Sequence, residues 1–456
     1  MTGSTRNNER SGGRGAFWAI CALLVFAIAF GGGGSKYGLA NLTVILASLV
    51  ALSFHRTAFF AFWRSAPLLL RGLIAISIFI PAAYLIPLPP SVWSAMPGRD
   101  LVAQSFDLIG YDGGASASVN PMRTLMALTA LITPLAVLTI GWTVPRDKLI
   151  VAAWVAVALG LFNFLLGVPQ VLSNSEAGVL YPENPMPGVL FGTFANRNST
   201  GLFLVAALAL ASLMPLPPRA RQFSLPLRLG ICAALILAIV LTRSRTALVL
   251  ALIPLCMAGL KMALAHFRRK GGSQSEKAGK IMPITLGVVL VSVVVGSIFV
   301  AAPGRLSESF SRFSTDRDDP RAYIWDDASY AAQRYWPIGS GPGTFDEVFQ
   351  IDESLENITM KRAGRAHNDY LEVAIETGAP GLAVIVGWLI LLIWLGWCSR
   401  TSDDRWIAWS GGIILLAIAL QSITDYPLRN QSLLAIGAFA LLILTRFSQD
   451  RREARS

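Results

Sequence analysis

The chain is short of charge. Only 14% of its 456 residues are Asp, Glu, Lys or Arg, while 54% are hydrophobic; a soluble domain carries roughly 25% charged residues. The shortage excludes an ordinary water-soluble globule. The uncharged runs it leaves are long enough to cross a bilayer, which takes about 20 apolar residues each. Cysteine is scarce too. Cys21, Cys232, Cys256 and Cys398 fall in or at the ends of apolar runs, with no C-x-x-C pair and no nearby histidine. They read as small buried hydrophobes and argue against a disulfide framework or a zinc site. The two-residue alternation of a membrane barrel is missing, so the spans are helices. No internal repeat is visible, which counts against transporters built from repeats. The net charge of +11 is no sign of nucleic-acid binding, because basic cytoplasmic loops are the rule for membrane proteins; no nucleic-acid partner is expected.

What is present is a series of apolar runs at 16–30, 37–54, 66–88, 121–141, 149–169, 197–214, 226–242, 246–263, 282–302, 379–397, 406–424 and 431–446. These predict an all-α integral membrane protein with about twelve transmembrane helices. The basic, Gly/Ser-rich residues 1–15 read as a cytoplasmic tail before a retained first span, since no small-residue cleavage site follows. Spans one to nine fill 16–302, spans ten to twelve fill 379–446, and 447–456 is a second cytoplasmic tail. More than half of the Lys and Arg then fall on one side, which sets an N-in, C-in orientation. Arg71 is the one charge expected deep inside a span. Between spans nine and ten lies a large extracytoplasmic loop, 303–378, with 14 of the 27 acidic residues and 8 basic ones. It is too charged for lipid and too aromatic for a disordered linker, so it predicts a folded cap carrying function.

Several short motifs sit on that outer side. "LTRSRTALVL" puts Arg243 and Arg245 in a tight hairpin, where an arginine at membrane depth costs about 2.5–3.5 kcal/mol. Either the side chains snorkel to headgroups or acidic loops, or they clamp a phosphate or diphosphate, for which the guanidinium fork is suited. "DPRAYIWDDASYAAQRYWPIGSGPGTF" reads as a short helix beginning at Pro320, with Arg321 and Trp325 one turn apart, ended by Trp336–Pro337. Its "GSGPG" is a turn that lets backbone approach something closely and lacks the end of a phosphate-binding Walker loop. "GRAHNDYLEVAIETG" holds His367, one of three histidines. No second His or Cys shares its side, so it makes no zinc site, and no G-x-S-x-G elbow accompanies it. Histidine is the side chain best suited to exchange protons near neutral pH, with Asp369 as a second choice of base. Glu372 and Glu376 read as the wet side of this helix. "DYPLRN" places Asp425 and Arg429 in another hairpin, where a mutual salt bridge is the plain reading. "FANRN" offers Asn196 and Asn198 to cap a helix or to bind sugar hydroxyls. The triplet Asp316–Asp318 matches a metal-binding D-x-D pattern only by chance in an acid-rich loop.

Taken in order and spacing over about residues 190–430, "FANRN", "SRTA", "RAYIW…WPIGSGPGTF", "RAHNDYLEVAIETG" and "DYPLR" resemble the O-antigen ligase and polymerase superfamily. The resemblance implies a GT-C-like glycosyltransferase of the bacterial inner membrane. It implies a glycan donor linked to undecaprenyl diphosphate and transfer at the periplasmic face without metal or cofactor. The acceptor would be a hydroxyl on lipid A–core (ligase) or on another lipid-linked glycan (polymerase), and a chain-length regulator is a further implied partner. Carried over by motif, Arg245 and Arg321 would contact the diphosphate and His367 would assist the acceptor or leaving group. Arg243, Asn196, Asn198, Asn368, Asp369, Asp425 and Arg429 would line the substrate site. The competing reading is a transporter or flippase for the same lipid-linked glycans.

Overall fold

The computed structural model describes residues 2–173, 177–181, 186–216, 224–270, 320–358 and 362–448. The expected span at 282–302, the triplet Asp316–Asp318, the loop before Pro320 and the tail after Ser448 lie outside these residues. The described residues are helical almost throughout. Helices α1 (Thr2–Phe30), α2 (Gly38–Phe54), α3 (Arg56–Ser65) and α4 (Leu68–Ala83) come first. A loop segment follows in which β1 (Pro87–Leu88) pairs antiparallel with β2 (Ala115–Ser116) around α5 (Pro90–Trp93) and α6 (Asp100–Leu108). The chain continues through α7 (Pro121–Ala130), α8 (Ile132–Trp142), α9 (Arg146–Leu172), α10 (Arg197–Leu213), α11 (Ser224–Leu241) and α12 (Arg245–Lys270). After the undescribed stretch come α13 (Pro320–Tyr335), α14 (Phe345–Asp352), α15 (Asp369–Cys398), α16 (Arg405–Gln421) and α17 (Gln431–Ser448).

Among the described residues six helical stretches are long and apolar enough to cross a membrane, or seven if the pair Gly38–Phe54 and Arg56–Ser65, bent by 81°, is one span. Four shorter apolar helices, α4, α10, α11 and α16, accompany them. Their burial differs sharply. Every residue of α10 from Ser199 to Leu213 is buried, as expected of a stretch without charge that is apolar nearly all round. In α15, by contrast, only 17% of the most apolar window is buried, so that helix offers its surface to lipid. Lipid removes the hydrophobic drive between helices and leaves close packing to hold them. Small residues supply it: a Cβ on Gly201 would stand 2.5 Å from the Cβ of Ala247, and one on Gly411 would stand 2.3 Å from the carbonyl oxygen of Ala440.

Two amide side chains inside the bundle hold a loop. Gln170 accepts from the backbone N–H of Phe191 and Gly192, at 3.0 and 2.8 Å, and donates to the Gly192 carbonyl. Asn163 accepts from the N–H and hydroxyl of Thr193. Together they draw residues 191–193 into the protein and so fix where α10 begins.

The cap has a core of its own, formed by Ala328, Ala331, Tyr335, Phe345, Val348, Phe349, Ala366 and Ile375. The "GSGPG" turn welds this cap to its neighbours. The Ser340 and Gly341 N–H groups donate to the Ile375 and Glu376 carbonyls, and Val119 N–H donates to the Ser340 carbonyl. The close approach anticipated from the glycines is therefore to the protein's own backbone. The other side of the weld is a kink in α15 at Gly378, with φ +57, where a Cβ would lie 2.1 Å from the Pro337 carbonyl oxygen.

Three expectations are corrected. Arg71 lies in the first turn of α4 and bonds the Trp63 carbonyl of the bent α3, so it is at the end of its helix and not deep within it. Cys256 is exposed and Cys398 half-buried, with Cys21 and Cys232 alone buried. Glu372 and Glu376 are buried, at 0% and 2% exposure; their helix face is the dry one.

Candidate active site

Among the described residues, two that are not glycine hold a positive φ: Arg243 and His367, both at +52. Such conformations are uncommon for residues with a Cβ and persist where the surroundings enforce them. The enforcement is visible at each.

His367 follows Ala366, whose peptide is held on both sides. The indole Nε1 of Trp325 donates to the Ala366 carbonyl at 2.8 Å, and Glu372 Oε1 accepts from the Ala366 N–H at 3.0 Å. Directly after it, Asn368 caps α15 by accepting from the N–H groups of Tyr370 and Leu371, which satisfies helix-end donors. His367 Nδ1 is buried and stands 3.4 Å from Asp425 Oδ1, while the whole side chain is 34% exposed. The exposure of the ring therefore lies on the edge away from Asp425. Tyr426 packs edge-on to the imidazole at 5.0 Å between centroids. Burial, reinforced by the charge of Asp425, pushes the Tyr426 phenol up to about 12, so it stays a neutral hydroxyl.

The other oxygen of Asp425 accepts from Asn196 Nδ2 at 3.4 Å. Asn196 is the cap of α10 and takes the N–H of Asn198 at 2.8 Å. Asn198 Oδ1 in turn accepts from the hydroxyl of Ser244 at 2.9 Å. Ser244 is buried between Arg243, which is exposed, and Arg245, which is half-buried, and its Oγ also accepts from Ala247 N–H at the start of α12. A line of polar contacts thus runs from His367 through Asp425, Asn196 and Asn198 to the arginine hairpin. Gln421 Nε2 braces it by donating to the Asn198 carbonyl.

Arg429 does a different job. Its guanidinium lies 3.6 Å from Asp369, 3.2 Å from Glu372 and 2.8 Å from Glu376. Burial opposes its charge, but these three carboxylates outweigh burial and hold its pKa above the ordinary value. The expected Asp425–Arg429 bridge is replaced by two separate pairings, Asp425 with His367 and Asn196, and Arg429 with the acids of α15. Asp369 also accepts from the Ser422 hydroxyl and the Leu428 N–H, so it ties the α16–α17 hairpin to the start of α15. Arg365, which the sequence reading passed over, shares Glu372 at 3.2 Å.

Arg321 sits half-buried in the first turn of α13, and that helix reaches the His367 region through Trp325. The structure thus brings His367, Asp425, Asn196, Asn198 and the Arg243–Arg245 hairpin into one connected arrangement. Asn368, Asp369 and Arg429 form its scaffold. Also missed were Tyr84 and Arg99, whose side chains bond the Ile338 and Gly339 carbonyls and pin the Gly turn from the β1–β2 loop segment. Arg99 is 2% exposed, and no spacing in its loop would single it out. Asn163 and Gln170 did leave a signal, since amides inside a membrane run are costly and rarely idle.

The sequence model of the family described as O-antigen ligase matches residues 230–386, about a third of the chain. This match supports the O-antigen ligase superfamily. It takes in Arg243, Arg245, Arg321 and His367 and stops short of Asn196 and Asp425. No curated protein matches the chain.

Proposed function

With the O-antigen ligase region at 230–386 as premise, we propose that the protein transfers a glycan from undecaprenyl diphosphate to an acceptor hydroxyl at the periplasmic face of the inner membrane. The observation that carries this reading is the polar line joining His367 and Asp425 to the hairpin of Arg243 and Arg245. It sets a proton acceptor and a pair of permanent cations on one connected scaffold. Glycosyl transfer from a lipid diphosphate needs both. The leaving diphosphate gathers negative charge, which preplaced guanidinium groups stabilise. The attacking sugar hydroxyl must lose a proton, which a base within hydrogen-bond reach accepts.

In this reading Arg245 and Arg321 bind the donor diphosphate, with Arg243 beside them, and no metal takes part. Asp425 fixes Nδ1 of His367 so that the exposed edge of the ring faces the acceptor. It also stabilises the imidazolium that forms, as a carboxylate does behind a catalytic histidine. Attack opposite the diphosphate inverts the anomeric carbon. The helices number about twelve in a GT-C-like arrangement, with both termini cytoplasmic, and lipid-facing helices such as α15 border the groove for the isoprenoid tail. The acceptor is lipid A–core or a second lipid-linked glycan.

The test is transfer by purified protein from an undecaprenyl-diphosphate-linked oligosaccharide. Arg245→Ala, Arg321→Ala and His367→Ala should each lower the rate by 100-fold or more at unchanged protein level. Full activity in all three would overturn the proposal, and so would labelled lipid crossing a liposome membrane with its glycan untransferred, the mark of a flippase. In cells, a knockout read on a polysaccharide gel separates the two acceptors: full-length chains left on the carrier mark a ligase, single repeats a polymerase.

A further inference from the structure

The Ala366 peptide sits between two elements that the transfer reaction has to keep in register. Its carbonyl is held by Trp325 of α13, the helix that carries Arg321 one turn earlier, and its N–H is held by Glu372 of α15. The next residue is His367, in a backbone conformation that a residue with a Cβ does not choose unaided. Glu372 is wholly buried. Its second oxygen is shared by Arg365 and Arg429, each at 3.2 Å. The carboxylate is thus fixed by two guanidinium groups before it fixes anything else. Ala366 itself is buried in the cap core, which leaves its peptide no water to bond in exchange.

We infer that Trp325 and Glu372 are positioning residues, a two-sided clamp on the Ala366 peptide that holds His367 against Asp425 and sets its distance from Arg321. The inference rests on the proposed transferase reading and adds a requirement to it. Neither residue touches substrate. Each acts through the His367 backbone, and a displacement of about 1 Å at a reacting group can cost about 100-fold in rate. The two hydrogen bonds differ in kind. The indole bond is neutral, whereas the carboxylate bond is charge-assisted and roughly twice as strong. Loss of Glu372 should therefore be the more severe change.

Trp325→Phe removes the indole N–H and keeps an aromatic ring in the cap. Glu372→Gln keeps an acceptor for Ala366 and removes the charge. In detergent-purified full-length protein, Trp325→Phe should lower kcat about 10-fold and leave KM for the undecaprenyl-diphosphate-linked donor within twofold. Glu372→Gln should lower kcat further. Trp325→His, which restores a ring N–H, should recover part of the loss. Hydrogen exchange of the peptide spanning 364–371 should quicken in Trp325→Phe, which leaves the buried ion cluster intact, while exchange in α10 and α17 stays as in the wild type. Wild-type kcat in Trp325→Phe, or a rise in KM alone, would overturn the clamp, as would exchange at 364–371 that does not change. Loss of rate matched by equal loosening of α10 and α17 would likewise overturn it, as a general loss of fold. Exchange reads the clamp without reference to catalysis. A wild-type protein with no transferase activity but a responsive 364–371 segment would therefore sink the proposed function and leave the clamp standing.

Discussion

Arg429 stands among Asp369, Glu372 and Glu376, each no more than 2% exposed, and that surrounding decides what its removal does. Taking one partner from a buried ion cluster strands the others at a cost of about 3–5 kcal/mol. Arg429→Ala should therefore fail first as a fold. Its melting temperature in detergent should fall by several degrees and its yield of monodisperse protein should collapse, while Arg243→Ala, on an exposed side chain, should melt like the wild type. Arg429→Lys should lie between, because a point charge does not replace the guanidinium fork. An Arg429→Ala protein with unchanged melting and lost transfer would instead place Arg429 at the substrate. The sequence could not make this distinction. Residues 369, 372 and 376 share a helix face by spacing alone, and on that face Glu372 and Glu376 read as wet. What makes the face dry is a guanidinium more than fifty residues further on, which periodicity within one helix cannot see.

At the scale of elements, the weld between the Gly turn and the kink in α15 is where cap and bundle meet. Gly378→Ala sets a Cβ 2.1 Å from the Pro337 carbonyl oxygen at a backbone φ of +57. With ψ at −142 this is a backbone region that essentially only glycine adopts, costing about 1–3 kcal/mol for a residue with a Cβ, and the contact adds to it. The variant should insert normally, since the apolar part of α15 is unchanged, yet show faster proteolysis at 337–358 and little transfer. Proteolysis and activity equal to the wild type would show that the weld can shift without consequence. Elements of this kind were legible in advance, since Pro320 and Trp336–Pro337 bounded α13. The partner of the Gly turn was not legible. It is the backbone of α15 and of Val119, and backbone carries no sequence. By contrast, the run expected at 121–141 is two helices, α7 and α8, meeting at Leu131, and Pro134 marks that division because it lacks the N–H that would bond the Ala130 carbonyl.

At the scale of the molecule, charge is sorted between two ends by different means. At the end that holds His367, arginines meet carboxylates: Arg123 with Asp346 and Glu347, Arg334 with Asp100 and Asp352, Arg365 and Arg429 with the acids of α15. At the other end, cations lie over rings or cap helix carbonyls. Lys148 lies over Phe17, Arg400 over Trp397 and Arg446 over Trp142, and Arg228 and Lys261 bond the last carbonyls of α10. Cations at a helix C-terminus complement its dipole, and rings satisfy them without cancelling the net positive charge. An excess of Lys and Arg is what retains a loop in the cytoplasm, and the proposed N-in, C-in orientation puts this basic end there. Two surface positions test it. Leu355, 86% exposed in the cap, and Asp403, exposed at the basic end, can each be changed to cysteine, with the unsubstituted protein as blank. A membrane-impermeant maleimide should label Leu355→Cys on spheroplasts and reach Asp403→Cys only after permeabilisation. The reverse pattern would put His367 on the cytoplasmic side, where an acceptor at the periplasmic face could not meet it.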